Sequence, residues 1–122
     1  MRSWLESGAI VALGSDAPYF PFDPRALVAA SATRRMRGVP QSMGEGQALT
    51  VLEAVEAYTR GAAHASFAET SRGVLRAGFL ADLVVLSVDP GRCTAEEFAS
   101  AQVLRTVVGG RTVFPAERSE QM

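Results

Sequence analysis

The chain has 122 residues, of which 48% are hydrophobic and 20% are charged, and its formal net charge is -1. This balance is typical of globular proteins and gives no electrostatic reason to expect a nucleic-acid partner. The single Cys93 cannot form an internal disulfide, so a reducing compartment, the cytoplasm, is expected. No stretch approaches the roughly 18 apolar residues of a membrane span, so no membrane partner is expected.

The chain opens with the pattern of a helix end followed by a strand. Residues 4–7 precede Gly8, which is typical of a helix that ends at glycine. Residues 9–13 (AIVAL) are all apolar and bounded by turn formers, which predicts a buried strand of a parallel sheet. Catalytic side chains in such sheets follow the carboxyl ends of the strands. Ser15 and Asp16 occupy that position, and Asp16 is the first candidate.

Two helices are predicted next. Asp23 and Pro24 supply an N-cap and a favoured first position for a helix that should end near residues 38–40. Residues 50–53 (TVLE) have the pattern of a capping box, which fixes the start of the second helix. Gly61 should interrupt that helix without ending it. An apolar face, expected to pack on the outside of a sheet, is formed by Val51, Val55, Tyr58 and Ala62.

The chain becomes β-rich near Gly73. Residues 83–86 (LVVL) predict another short buried strand, and Asp82 before it is expected to fix a turn. Residues 94–97 (TAEE) offer a second capping box for a brief helix. A β-hairpin with a two-residue glycine turn is predicted over residues 103–114.

Four motifs in this order cover most of the chain. They are GSDAP at 14–18, ALT at 48–50 leading into EAVEAYT at 53–59, GVLRAGFLADLVVL at 73–86, and VVGGRTV at 107–113. Together they resemble the metal-dependent amidohydrolases, and within them the amidohydrolase 3 or YtcJ-like group. The run at 73–86 is the most specific of the four.

This resemblance implies a fold of which the chain holds only a part. A complete eight-stranded β/α barrel needs about 250 residues. We therefore expect an α/β structure that is incomplete on its own. Residues 1–72 would supply the last strand and helix of a TIM-type barrel, and residues 73–122 part of a small composite β-sandwich. On this expectation the chain is the C-terminal segment of a longer enzyme.

The resemblance also implies a reaction. In the family, the residue matching Asp16 binds or lies beside a divalent metal, expected to be zinc. It takes a proton from the water that attacks a non-peptide carbon–nitrogen bond of a small-molecule amide or related substrate. The residues alone leave an alternative open, in which Asp16 only accepts hydrogen bonds from loop amides.

The other metal ligands of the family are histidines from earlier strands, with a bridging lysine or acid. This chain has no lysine, and its single His64 is interpreted as structural. The isolated 122 residues are therefore expected to hold no metal tightly and to be inactive.

Arg34 and Arg35 are candidate substrate-binding residues. A guanidinium group can bind two oxygens at once, so one of them could contact a carboxyl or carbonyl group of the substrate. The alternative is a pair of solvated charges favoured by the helix dipole.

A second hypothesis belongs to a different class of protein. It describes a short, non-catalytic descendant that dimerises or binds a partner through the strand at 9–13. That strand and the apolar helix face would be exposed unless something covered them. We therefore expect a homo-oligomer, or association with the amino-terminal portion that the resemblance implies.

Overall fold

The computed structural model describes residues 1–35 and 38–115. Its elements, in chain order, are α1 (Arg2–Glu6), α2 (Pro24–Thr33), a 3₁₀ turn (Glu45–Gln47), α3 (Val51–Glu56), a π turn (Ala57–Gly61), α4 (Ala62–Ala65), β1 (Leu83–Leu86), α5 (Ala95–Ala99), β2 (Val103–Val108) and β3 (Arg111–Phe114). The strands form one antiparallel sheet in the order β1-β2-β3. None of the helices in these two ranges has the length and apolar content to span a bilayer.

The predicted end of the first helix is confirmed. Gly8 has a φ of 84° and its amide donates to the Leu5 carbonyl at 3.0 Å. The Ala9 amide donates to the Trp4 carbonyl, also at 3.0 Å. These two bonds form a Schellman motif, which satisfies carbonyls that the helix leaves without partners.

Helix α2 starts as predicted but ends earlier. The Asp23 carboxylate accepts a hydrogen bond from the Arg25 amide at 3.0 Å, which confirms the N-cap. The predicted end near residues 38–40 is wrong, because Arg34 adopts the left-handed conformation with a φ of 56°. Its amide closes the helix by donating to the Ala30 carbonyl at 2.8 Å. A left-handed residue turns the chain away from the helix axis.

Both predicted capping boxes are confirmed. The Thr50 hydroxyl accepts from the Glu53 amide at 3.2 Å, and the Glu53 carboxylate accepts from the Thr50 amide at 2.7 Å. Thr94 and Glu97 repeat this arrangement at 3.1 and 2.7 Å at the start of α5. Each box satisfies two amide donors at a helix start.

Glu53 also joins the first and third helices. Arg2 donates to both of its carboxylate oxygens, at 2.5 and 2.6 Å. These hydrogen bonds lower the pKa of Glu53 from its ordinary value of 4.5 to about 2. A carboxylate whose pKa is lowered by folding stabilises the fold above its unfolded pKa.

We therefore expect Glu53 to make the free energy of unfolding depend on pH in the acid range. Its contribution, on the order of 1 kcal/mol for a partly exposed pair, should be present at neutral pH and fall as the pH drops from about 4.5 towards 2. Glu53→Gln keeps an acceptor for the capping box but loses the charge. Urea unfolding at several pH values should show a smaller acid-induced loss in this variant.

Glu97→Gln is the matched control, because Glu97 sits in the same kind of capping box without an arginine partner among the described residues. An equal loss of unfolding free energy at acid pH in wild type and Glu53→Gln would contradict the assignment of this pH dependence to Glu53.

The core lies mainly between helices. Its buried residues are Val28, Leu49, Val51, Ala54 and Phe98. Helix α2 contacts both α3 and α5. On the predicted apolar face of the third helix, Val51 is buried, whereas Val55, Tyr58 and Ala62 are only half-buried. Val55 and Tyr58 line a groove together with Val84 and Leu86 of β1. This helix face is therefore next to the sheet, but the sheet does not cover it. Gly61 lies inside the helical run, as predicted.

Two segments predicted as buried strands are more exposed than expected. Residues 9–13 form no β-ladder, and Ile10 is 60% exposed. Within the described residues no strand lies beside this segment, so burial cannot follow from its apolar sequence alone. Strand β1 forms where predicted, but Val84 and Val85 at its centre are exposed. The barrel segment and the division at residue 72 remain predictions.

The predicted hairpin is confirmed. Gly109 and Gly110 connect β2 and β3 with φ values of 56° and 78°. Positive φ at both central residues is typical of a type I′ turn, which matches the twist of a hairpin. The Asp82 carboxylate accepts a hydrogen bond from the Gly109 amide at 2.7 Å. Asp82 thus fixes a turn, as predicted, although the turn lies 27 residues away.

Candidate functional site

Asp16 lies in a turn after residues 9–13. It is exposed and has a φ of 55°, an uncommon conformation for a residue other than glycine that aspartate tolerates better than most. Its carbonyl accepts from the Tyr19 amide at 3.1 Å, whereas its carboxylate makes no hydrogen bond among the described residues. The side chain that binds a loop amide is Ser15, whose hydroxyl accepts from the Ala17 amide at 3.3 Å. The Asp16 carboxylate is therefore open to solvent.

The position of this turn depends on a close contact with the helical run that follows α3. The Leu13 amide donates to the Ala57 carbonyl at 3.1 Å. One turn further along, a Cβ atom built on Gly61 would lie 2.0 Å from the Val11 carbonyl oxygen. Only glycine allows the two backbones to approach so closely. These contacts fix the segment that leads to Asp16.

The described residues do not fit a complete metal site. No three histidine, cysteine, aspartate or glutamate side chains within 1–35 and 38–115 are grouped in a way that could hold an ion. His64 lies beside Glu69, with 3.7 Å between Nδ1 and Oε1, and both side chains are half exposed. Asp16 can supply one carboxylate, and any further ligands would have to come from outside these residues.

Arg34 and Arg35 are brought together at a cavity of about 300 Å³ next to the Asp16 turn. Among the residues that line it are Leu13, Gly14, Ser31, Arg34, Arg35 and Met43. Gly14 belongs to the same GSDAP motif as Asp16. The structure therefore places the two arginines beside the segment that carries the candidate acid.

Met43 is a part of this site that the sequence did not reveal. Its amide donates to the Arg34 carbonyl at 2.8 Å, and its carbonyl accepts from Arg34 Nε at 3.0 Å. These bonds close the loop between the two residues and bring Met43 to the cavity. A single methionine in a polar loop carries no local signal, because its position depends on this closure.

The protein family of this chain can be assigned from its match to a known family. The amidohydrolase family matches residues 1–114, nearly the whole chain. The chain belongs to the amidohydrolase family. The resemblance drawn from the four sequence motifs is thereby confirmed.

Several relatives of this amidohydrolase chain are known. It is 40% identical over 111 residues to an N-substituted formamide deformylase of Arthrobacter pascens. The aligned region covers 90% of this chain and 20% of the relative. It is 32% identical over 115 residues to the putative amidohydrolase YtcJ of Bacillus subtilis, covering 93% of this chain and 22% of the relative. The chain thus spans about a fifth of the length of these curated relatives.

A solved structure supports the same assignment. An amidohydrolase from Thermotoga maritima matches with a TM-score of 0.63 and 26% sequence identity. The match covers 93% of this amidohydrolase chain and 25% of the solved chain. The α/β arrangement with its small antiparallel sheet is therefore shared with a larger amidohydrolase.

Proposed function

We propose that this amidohydrolase chain is the C-terminal part of a hydrolase that acts on non-peptide carbon–nitrogen bonds of small-molecule amides. The observation that carries the proposal is the family match over residues 1–114. The similarity to a protein named N-substituted formamide deformylase supports an amide nitrogen as the leaving group. Under this proposal, residues 1–72 belong to the barrel domain and residues 73–122 to the composite sandwich.

Asp16 is the proposed catalytic residue. Its carboxylate is exposed and has no hydrogen-bond partner among the described residues, so it can accept a proton. As general base it would take a proton from water while the water oxygen bonds to the amide carbon. As the carbon–nitrogen bond breaks, the same carboxyl group would return the proton to the leaving nitrogen. Arg34 and Arg35 would contact the substrate at the adjacent cavity.

The proposal includes a divalent metal, expected to be zinc. Asp16 would be one of its ligands, and the others would come from an amino-terminal portion of the protein. The exposed Asp16 carboxylate, in the turn that follows residues 9–13, supports its proposed role as a ligand.

Hydrolysis of N-substituted formamides tests the proposal directly. We expect the native-length protein to release a primary amine from them, detected with an amine-reactive fluorophore, and prior treatment with a metal chelator to abolish the release. A folded, metal-supplemented protein that releases no amine from formamides, acetamides or cyclic amides would refute the proposed activity.

One observation favours the second function, binding to a partner chain. Residues 9–13 form no ladder, and the exposed Ile10 lies on them. Backbone groups without ladder partners can pair with another strand. Association with an amino-terminal portion of the protein, or with a second copy, would satisfy them. Light scattering on the 122-residue chain at micromolar concentration should show an oligomer, and a monomer would count against association between copies.

A further inference from the structure

The cavity beside Gly14 is lined by an excess of positive charge. The two charged side chains that line it are Arg34 and Arg35, and no acidic residue lines it among those described. Neither arginine forms an ion pair within residues 1–35 and 38–115. Arg2 and Arg25 differ in this respect. A terminal nitrogen of Arg2 donates to Glu53, and one of Arg25 donates to Asp23. Two uncompensated cations at one cavity favour an anion.

The guanidinium of Arg34 is oriented by its own loop. Its Nε donates to the Met43 carbonyl at 3.0 Å, and its backbone carbonyl accepts from the Met43 amide at 2.8 Å. Its two terminal nitrogens make no hydrogen bond with any described residue. Those nitrogens are the pair that binds both oxygens of a carboxylate at once. Holding Nε in place reduces the entropy that the side chain loses on binding.

We propose that Arg34 and Arg35 bind a carboxylate group carried by the substrate. The inference rests on the proposed function and narrows its substrate class to amides that bear a carboxylate near the scissile bond. The remainder of the cavity is largely apolar, with Leu13, Leu27 and Ala30 in its lining. A volume of about 300 Å³ accommodates a carboxylate with a small aliphatic group. Arg34 is also a positioning residue for the loop that ends at Met43.

A matched pair of compounds tests this specificity. N-formylleucine carries a carboxylate, and N-(3-methylbutyl)formamide is the same molecule without it. We expect the native-length wild-type protein to have a kcat/KM at least about tenfold higher for N-formylleucine, since hydrogen bonds to charged groups contribute that much. Arg35→Met and Arg34→Lys should reduce this preference, because each should lower kcat/KM for N-formylleucine more than kcat/KM for the neutral formamide. Arg34→Lys keeps the charge but loses the paired donors.

Arg105→Met serves as the control, because Arg105 is an exposed residue on β2 that does not line this cavity. It should retain the full preference for the carboxylate. Thermal unfolding of each variant shows whether the loop change at Arg34 has harmed the fold, and Arg35→Met tests the site without touching the contact to Met43.

Calorimetric titration with N-formylleucine separates the two proposals. Binding that is weakened at least about tenfold by Arg35→Met supports the carboxylate site even if neither compound is hydrolysed, a result that would refute only the proposed activity. Equal hydrolysis of both compounds, or wild-type binding that neither arginine variant weakens, would overturn the carboxylate site. Absence of binding to the wild type would overturn it as well.

Discussion

Asp16→Asn is expected to lower kcat of the native-length hydrolase by about 10²- to 10⁴-fold, the usual contribution of a general base. An amide of the same shape cannot accept the proton of the attacking water. Asparagine also tolerates the left-handed backbone of this position, where φ is 55°, so the fold should survive. Steady-state hydrolysis of a formamide substrate, followed by amine release, measures the loss.

Asp82→Asn is the matched control for this variant. Asp82 is also an aspartate that follows a loop, but its carboxylate accepts the Gly109 amide and fixes a turn of the sheet. Asparagine retains an acceptor oxygen there, so turnover should be close to that of the wild type. If Asp16→Asn kept wild-type turnover, the catalytic role of Asp16 would be refuted.

Gly61→Ala is expected to destabilise the fold strongly. The new Cβ atom would lie 2.0 Å from the Val11 carbonyl oxygen and 3.0 Å from the Val11 carbonyl carbon. Both are backbone atoms, so the clash cannot be relieved by a rotamer change. We expect a loss of about 3 kcal/mol in the free energy of unfolding, the upper end for overpacking. Urea unfolding of wild type and variant measures this difference.

Gly46→Ala controls for the general effect of replacing a glycine, since a Cβ atom there meets nothing within 4 Å. Its stability should lie within about 0.5 kcal/mol of the wild type.

Movement of Val11 in Gly61→Ala would also displace Asp16, because only a short segment separates them. Gly61→Ala should therefore reduce turnover under conditions where it remains folded. Equal urea midpoints for the two glycine variants would show that the close contact does not exist.

The features that the sequence predicted correctly are those set by neighbouring residues. The Schellman end at Gly8, the Asp23 N-cap, both capping boxes and the two-glycine hairpin each depend on hydrogen bonds within a few residues. Such contacts form in the same way in almost any tertiary setting. The family motifs also belong to this class, because the order of residues along the chain is enough to recognise them.

The features that the sequence predicted wrongly depend on what lies beside each segment. Residues 9–13 and β1 have the composition of buried strands, yet Ile10 and Val84 are exposed. An apolar run becomes buried only where another element covers it. The end of α2 is a similar case, since it depends on a loop closed between Arg34 and Met43 rather than on the glycine and proline further along.

The candidate site divides in the same way. The order of residues was enough to assign the family and to single out Asp16, Arg34 and Arg35, because residue types and their spacing are visible in the chain itself. The folded chain was needed to show that the two arginines line one cavity with Gly14 and Met43. The cavity is lined by residues that precede α2, residues of α2 and residues that follow it, and no periodicity along the chain encodes a contact made by loop closure.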